Sequence, residues 1–334
     1  MGGKMKPIKT ILIMLFLAGI VLTACESLKT ARPMLPMKEY EKMLVGSLEA
    51  EYVGTDTCLA TCHYHDDQKK NLGASTMGVQ ISKKTHMPIV NCEACHGPGS
   101  LAIEGLTREQ VEEDARNGKQ TKCRYEMLIE ITKLPAPAKS LICLKCHAKY
   151  EDFNLHTWNS GVHAINDVSC SDCHKIHMGP DLIIRKEEME NLCEKCHFKA
   201  KAEFSLPSHH PVHEKKIFCI SCHEPHGSEI EKNLKKTTVK EVCVQCHADK
   251  EGPYTFEHSE NMEDCTTCHS PHGSINNNLL KARQPFLCLQ CHSGHRTSAT
   301  STTKAEFYTR CTDCHSRIHG TDIPGASGTG RFTQ

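Results

Sequence analysis

Nine copies of Cys-x-x-Cys-His run through the chain, beginning at Cys92, Cys143, Cys170, Cys193, Cys219, Cys243, Cys265, Cys288 and Cys311. Their second thiols are Cys95, Cys146, Cys173, Cys196, Cys222, Cys246, Cys268, Cys291 and Cys314. Each copy ends in a histidine: His96, His147, His174, His197, His223, His247, His269, His292 and His315. A tenth copy is stretched by one residue, Cys58-x-x-x-Cys62-His63. Two thiols followed directly by an imidazole form the attachment signature of c-type haem. The sulfurs become thioethers on the porphyrin, and the histidine becomes the proximal ligand of iron. Structural zinc also uses paired cysteines, but it needs two pairs per metal and no fixed histidine after the second thiol. Here every pair carries that histidine, so the motifs predict covalent haem c, one group for each of ten motifs.

Of 23 histidines, ten are proximal and 13 remain for ten sixth positions, enough for every iron to take two imidazoles. The spare histidines keep step with the motifs. His177, His226, His272 and His295 each follow a proximal histidine by three residues, and His319 follows His315 by four. His86, His163 and His258 lie six or seven residues ahead of a motif, and His209, His210 and His213 crowd the stretch before Cys219. The distal candidates are thus His65, His86, His163, His177, His210, His226, His258, His272, His295 and His319. A solvated surface histidine has no reason to share such a phase.

The same offsets expose a repeat. Motif starts at Cys170, Cys219, Cys265 and Cys311 are 49, 46 and 46 residues apart, and those at Cys143, Cys193, Cys243 and Cys288 are 50, 50 and 45 apart. The unit is a haem pair: Cys58 with Cys92, Cys143 with Cys170, Cys193 with Cys219, Cys243 with Cys265, and Cys288 with Cys311. Stacked repeats make quasi-one-dimensional bodies. The expected fold is therefore a multihaem cytochrome c over 52–331, mostly irregular with short helices, an elongated haem-wrapped array of five di-haem repeats. Helix formers from Glu187 to Phe204 predict one such helix. An insert at about 97–141 interrupts the pattern. Within it Thr107-x-x-Gln110 resembles a capping box, Asn117-Gly118 offers a stop, and Pro135 and Pro137 return the chain to the array.

Residues 1–24 read as a lipoprotein signal peptide: Lys4, Lys6 and Lys9, an apolar run too short to span a bilayer, then Leu22-Thr23-Ala24-Cys25. Cleavage would leave Cys25 as a lipidated N-terminus, and 25–50 reads as a tether. One cysteine for lipid and twenty for haem leave Cys123 of the 22, expected as a buried thiol. Apolar residues make up 38% of the chain with a single Trp, below the usual share. Porphyrin faces must then supply much of the buried surface, and the haem-free chain is not expected to fold. The 40 basic residues balance the 40 acidic ones, and no basic stripe or aromatic platform suggests nucleic acid.

The segments Cys92-Glu-Ala-Cys-His-Gly-Pro-Gly99, Ser208-His-His-Pro211, Cys219-Ile-Ser-Cys-His-Glu-Pro-His-Gly227, Cys265-Thr-Thr-Cys-His-Ser-Pro-His-Gly273 and Cys311-Thr-Asp-Cys-His-Ser-Arg-Ile-His-Gly320 resemble the MtrA/DmsE-type decahaem cytochromes. That resemblance implies bis-His irons in an extended wire, carrying electrons from the periplasm across the outer membrane through a β-barrel porin. It also implies periplasmic and extracellular multihaem cytochromes as partners; the lipobox, by which the chain differs from many soluble periplasmic relatives, adds a lipid anchor at the outer membrane, on its periplasmic side or within a porin. The chain departs from the family at the stretched first motif and at Thr76-Met77-Gly78, where relatives carry Thr-His-Gly, so that Met77 becomes a possible ligand. No histidine follows Gly97-Pro98-Gly99, so His65 or His86 is expected to serve the first two irons. Two other readings are a multihaem reductase with one open iron, disfavoured because every motif keeps its histidine, and an extracellular filament or periplasmic shuttle.

Overall fold

The computed structural model describes residues 35–63, 67–75, 77–86, 89–119, 121–148, 155–177, 184–258, 264–292 and 310–324. Cys25, His65, His295 and the apolar run of the signal peptide lie outside them. In the described residues before 150 the helices are α1 (Met37–Lys42), α2 (Thr55–Thr61), α3 (Gln68–Ala74), α4 (Cys92–His96), α5 (Arg108–Arg116) and α6 (Ala136–His147). Beyond 155 come α7 (Val162–Ile165), α8 (Cys170–Cys173), α9 (Met189–Cys193), α10 (Phe198–Phe204), α11 (Cys219–Cys222) and α12 (Val239–Val244). The motifs at Cys265, Cys288 and Cys311 open as single 3-10 turns.

The helices are short because a haem motif is itself one helical turn. The histidine N–H donates to the carbonyl of the first cysteine, at 2.8 Å for His174 on Cys170, 3.0 Å for His223 on Cys219 and 2.8 Å for His315 on Cys311. Such turns are marginal alone in water and need tertiary support. Helix formers from Glu187 to Phe204 do not make one helix. The chain forms α9 and α10, parted where His197 leaves the helical region at φ −89°, ψ 58°, so the motif turn interrupts the propensity around it.

The longest helix among the described residues, α6, starts behind Pro135 and ends at His147, the histidine of the third motif. Its Ala138 is wholly buried and, with Ile142, receives Tyr40 of α1 and Leu44 just beyond it. The segment expected as a tether thus contains about one and a half helical turns packed through Tyr40, because a methyl side chain at 138 leaves room for the Tyr40 ring. In the insert, the Thr107 hydroxyl accepts from Gln110 N–H at 3.2 Å, and Gly118 at φ 63° follows the end of α5. That helix buries only Val111.

Strand pairing among the described residues is minimal: β1 (Ser208–His209) lies antiparallel to β2 (Gly273–Ser274), with Ser208 opposite Ser274. Gly273 is pressed so closely on the Glu203 carbonyl that any Cβ would collide with it. It follows His272, and the approach fixes where that imidazole stands. No helix among the described residues is long and apolar enough to cross a membrane.

Candidate haem-binding array

Seven motif histidines face a second histidine from a distant part of the chain. The ring centroids are 6.2 Å apart for His96 and His177, 6.0 Å for His197 and His163, and 6.0 Å for His174 and His226. They are 6.2 Å apart for His247 and His210, 6.2 Å for His223 and His272, 5.9 Å for His292 and His258, and 6.2 Å for His269 and His319. Two metal–nitrogen bonds of about 2 Å, plus about 1 Å from each nitrogen to its ring centre, give roughly 6 Å. One iron on the line between the rings fits every pair. Ordinary aromatic contacts scatter more: Phe204 stands 5.1 Å from His272 and 5.9 Å from His213.

The register is regular, and offsets along the sequence do not show it. A histidine just downstream of one motif faces the motif two places earlier, and a histidine just upstream of one motif faces the next. No described pair joins a histidine to the motif beside it, since three residues of chain cannot round a porphyrin to its other face. His96 faces His177, a ring other than the His65 or His86 expected for the first two irons. His86 is exposed, at φ 57°.

Hydrogen bonds set which nitrogen is available. Nδ1 of His163 donates to the Pro225 carbonyl at 2.8 Å, and Nδ1 of His210 donates to that of Pro271. Proximal His223 and His269 donate likewise to Lys232 and Asn278, at 2.9 and 2.7 Å. A carbonyl only accepts, so the proton sits on Nδ1 and the Nε2 lone pair is left for a metal. His272 instead meets the Glu203 carboxylate at 3.0 Å, and His226 meets Glu224 at 3.3 Å. Burial holds His96, His223, His226, His258 and His319 below the ordinary imidazole range, favouring the neutral form that binds metal. The crowd before Cys219 resolves in the same terms. His209 spends one nitrogen on the Leu206 carbonyl and the other on Glu214, and His213 spends Nε2 on buried Glu194 at 2.6 Å.

The thiols draw a second pattern. First cysteines meet in pairs, Cys58 with Cys92, Cys143 with Cys170, Cys193 with Cys219, Cys243 with Cys265, and Cys288 with Cys311. Sharing a proton holds Cys92 down at about 6 and Cys170 and Cys219 at about 7. Second cysteines bridge the intervals. Burial raises Cys95, Cys173, Cys222 and Cys268, and each is raised further by the next motif's thiol, at Cys146, Cys196, Cys246 and Cys291. The ten motifs therefore stand in one unbroken file with alternating junctions.

The first motif departs from this. Cys62 is joined to Cys123 by a disulfide, with Cα atoms 6.0 Å apart and a sequence separation of 61, and both residues are buried. The disulfide replaces the thiol expected at Cys123. Spacing alone concealed the pairing, because the partner lies in the insert.

Residues 163–202, 209–252 and 258–297 match the family described as Doubled CXXCH motif, and residues 108–175 match Cytochrome c554 and c-prime. By these matches the chain is similar to multihaem c-type cytochromes. Each doubled-motif match frames an upstream histidine with the ring partner it faces, His163 with His197, His210 with His247 and His258 with His292. Three doubled motifs are matched, and their phase is shifted by one motif from the thiol pairs. The cytochrome is 35% identical over 235 residues to multiheme cytochrome MtrA of Shewanella baltica, which is 70% of this chain and 65% of that relative. It is 26% identical over 125 residues to cytochrome c-type protein NrfB of Escherichia coli, 32% of this chain and 65% of that relative. The cytochrome thus spans less than two thirds of the length of the curated relatives it matches. The doubled motifs are haem c attachment motifs.

Proposed function

We propose that the cytochrome is a ten-haem wire that carries electrons from the periplasm to or across the outer membrane, within a β-barrel porin and anchored by lipid at Cys25. The observation that carries this reading is the file itself: ring pairs that cross between units, joined motif to motif by alternating thiol contacts. Bound haem supplies one-electron exchange between ferric and ferrous iron. The chain's part is to hold both axial positions shut, which keeps reorganisation small, and to keep neighbouring haems close.

The motif cysteines other than Cys62 serve as attachment points, and the seven observed ring pairs serve as axial ligands. By the same register His86, ahead of Cys92, falls to the iron on His147, and His295 remains for the iron on His315. His65, two residues beyond His63, is too close to reach that iron's other face. Met77 is then the sixth ligand of the first iron: Gly78 behind it is pressed on the Leu72 carbonyl, as Gly273 behind His272 is on that of Glu203. A thioether in place of imidazole raises the potential at that end.

The test is an EPR spectrum of the oxidised holo-protein, with haem counted by pyridine haemochrome on the same sample. Ten haems, all low-spin, support the wire. A stoichiometric high-spin signal overturns it in favour of a reductase with one open iron. Copurification with a β-barrel protein supports the conduit, whereas isolation without any barrel favours a filament or shuttle.

A further inference from the structure

We infer that the haem of the first motif is held by a single thioether, at Cys58, and that the Cys62–Cys123 disulfide fastens this end of the file in place of the second. The inference rests on the haem-binding reading above and adds to it the mode of attachment at one site.

Helix geometry separates this motif from the other nine. A second cysteine four residues after the first, rather than three, lies about 100° further round the helix and about 1.5 Å further along it. In the regular motifs the first cysteine's carbonyl receives the histidine N–H. Here the Cys58 carbonyl receives Cys62 N–H at 3.0 Å and His63 N–H at 3.1 Å. Cys62 therefore stands where a regular motif places its histidine, and its sulfur is turned away from the position of a second thioether. Cys58 shows no such displacement, since its thiol meets Cys92 as the first thiols of the other four pairs meet.

The partner is equally well placed. Elsewhere the second thiols of adjoining motifs influence each other, Cys95 with Cys146, Cys173 with Cys196, Cys222 with Cys246 and Cys268 with Cys291, but the first motif ends the file, and Cys62 meets Cys123 of the insert instead. Cys123 is held there by its neighbours. Arg124 N–H donates to the Ala102 carbonyl at 2.9 Å, the Arg124 guanidinium reaches Leu101 O at 2.8 Å, and Thr121 is buried. The insert is thereby a clamp on the terminal haem.

The chemistry balances without an unnamed reagent. Addition of Cys58 S–H across one vinyl group forms C–S and C–H bonds and consumes the S–H and C=C π bonds, with no net electron transfer. Joining Cys62 to Cys123 releases two protons and two electrons, which pass by thiol–disulfide exchange to an oxidised dithiol protein of the oxidising compartment. The second vinyl stays intact.

The experiment is thiol mapping of the purified full-length holo-protein, denatured and alkylated with and without prior reduction, then read peptide by peptide by mass spectrometry. The expected result is no label at Cys62 or Cys123 before reduction, label at both after it, and haem on the Cys58 peptide. Label at Cys123 without reduction, with Cys62 never labelled, overturns the inference, as does label at both without reduction. Haem on the other nine motifs but not on Cys58 also overturns it and leaves the wire standing in shorter form. Haem on no motif would defeat the underlying reading instead.

Discussion

The chain before residue 148 and the chain after residue 155 are held together by different means. Ten of the fifteen buried apolar side chains among the described residues, from Tyr40 to Leu144, lie in the first stretch, and the second has Trp158, Met189, Phe204, Val212 and Val242. The first stretch also owns the disulfide. Its buried Glu93 carboxylate accepts N–H groups from Val53, Gly54 and Gly99 at 2.8, 2.9 and 2.9 Å. The second stretch is cross-linked mainly by histidine pairs, with buried acids tied to basic partners such as Glu190 to Lys215 and Glu194 to His213. The contrast follows motif density. Where the insert parts Cys95 from Cys143, the polypeptide has to bury its own apolar surface; where motifs are close, porphyrin faces do that work.

The largest effect that bears on this contrast is haem removal. The haem-free chain is expected to lose nearly all native far-UV ellipticity, with any residual hydrogen-exchange protection confined to 37–147. Full native ellipticity without haem, or protection retained in 184–292, would break the comparison. Next comes Ile142→Ala, which empties part of the Tyr40–Leu44–Ala138 cluster and is expected to cost about 2–4 kcal/mol. Hydrogen exchange should show the loss around α1 and α6 and leave α10 to α12 unchanged; equal loss in both halves would mean one shared core.

The smallest effect sharpens the second half. Glu203→Gln exchanges the carboxylate on His272 for an amide, and a carboxylate makes the imidazole a stronger donor that favours ferric iron. The haem between His223 and His272 is expected to rise by about 60 mV, a tenfold change for one electron, in a spectropotentiometric titration. The haem between His210 and His247, whose distal Nδ1 meets a carbonyl, should stay put. A uniform shift of all haems would point to general charge rather than to that hydrogen bond.

Much was legible because attachment is local. Five consecutive residues, six in the stretched copy, carry the two cysteines and the histidine of each motif, and the phase of the spare histidines singled them out as candidate ligands before any geometry. The cap at Thr107 and the stop at Gly118 were equally plain, since capping is a matter of adjacent residues. Distal partners were not legible, because sequence offset points to the neighbouring motif and the ring that arrives comes from one or two motifs away. Nor was the packing of Tyr40 and Leu44 legible: Pro33 and Pro36 among charges look like a tether until Ala138 supplies a place to bury them.

By itself the sequence determined that ten sites of one motif type follow one another, at near-equal spacing from Cys143 onward, because each motif is written within a single helical turn. Only the tertiary structure decided which imidazole faces which, and that Cys62 meets Cys123 of the insert. Both choices depend on segments far apart in the chain arriving at one point, and one added residue rotates a side chain by most of a third of a turn.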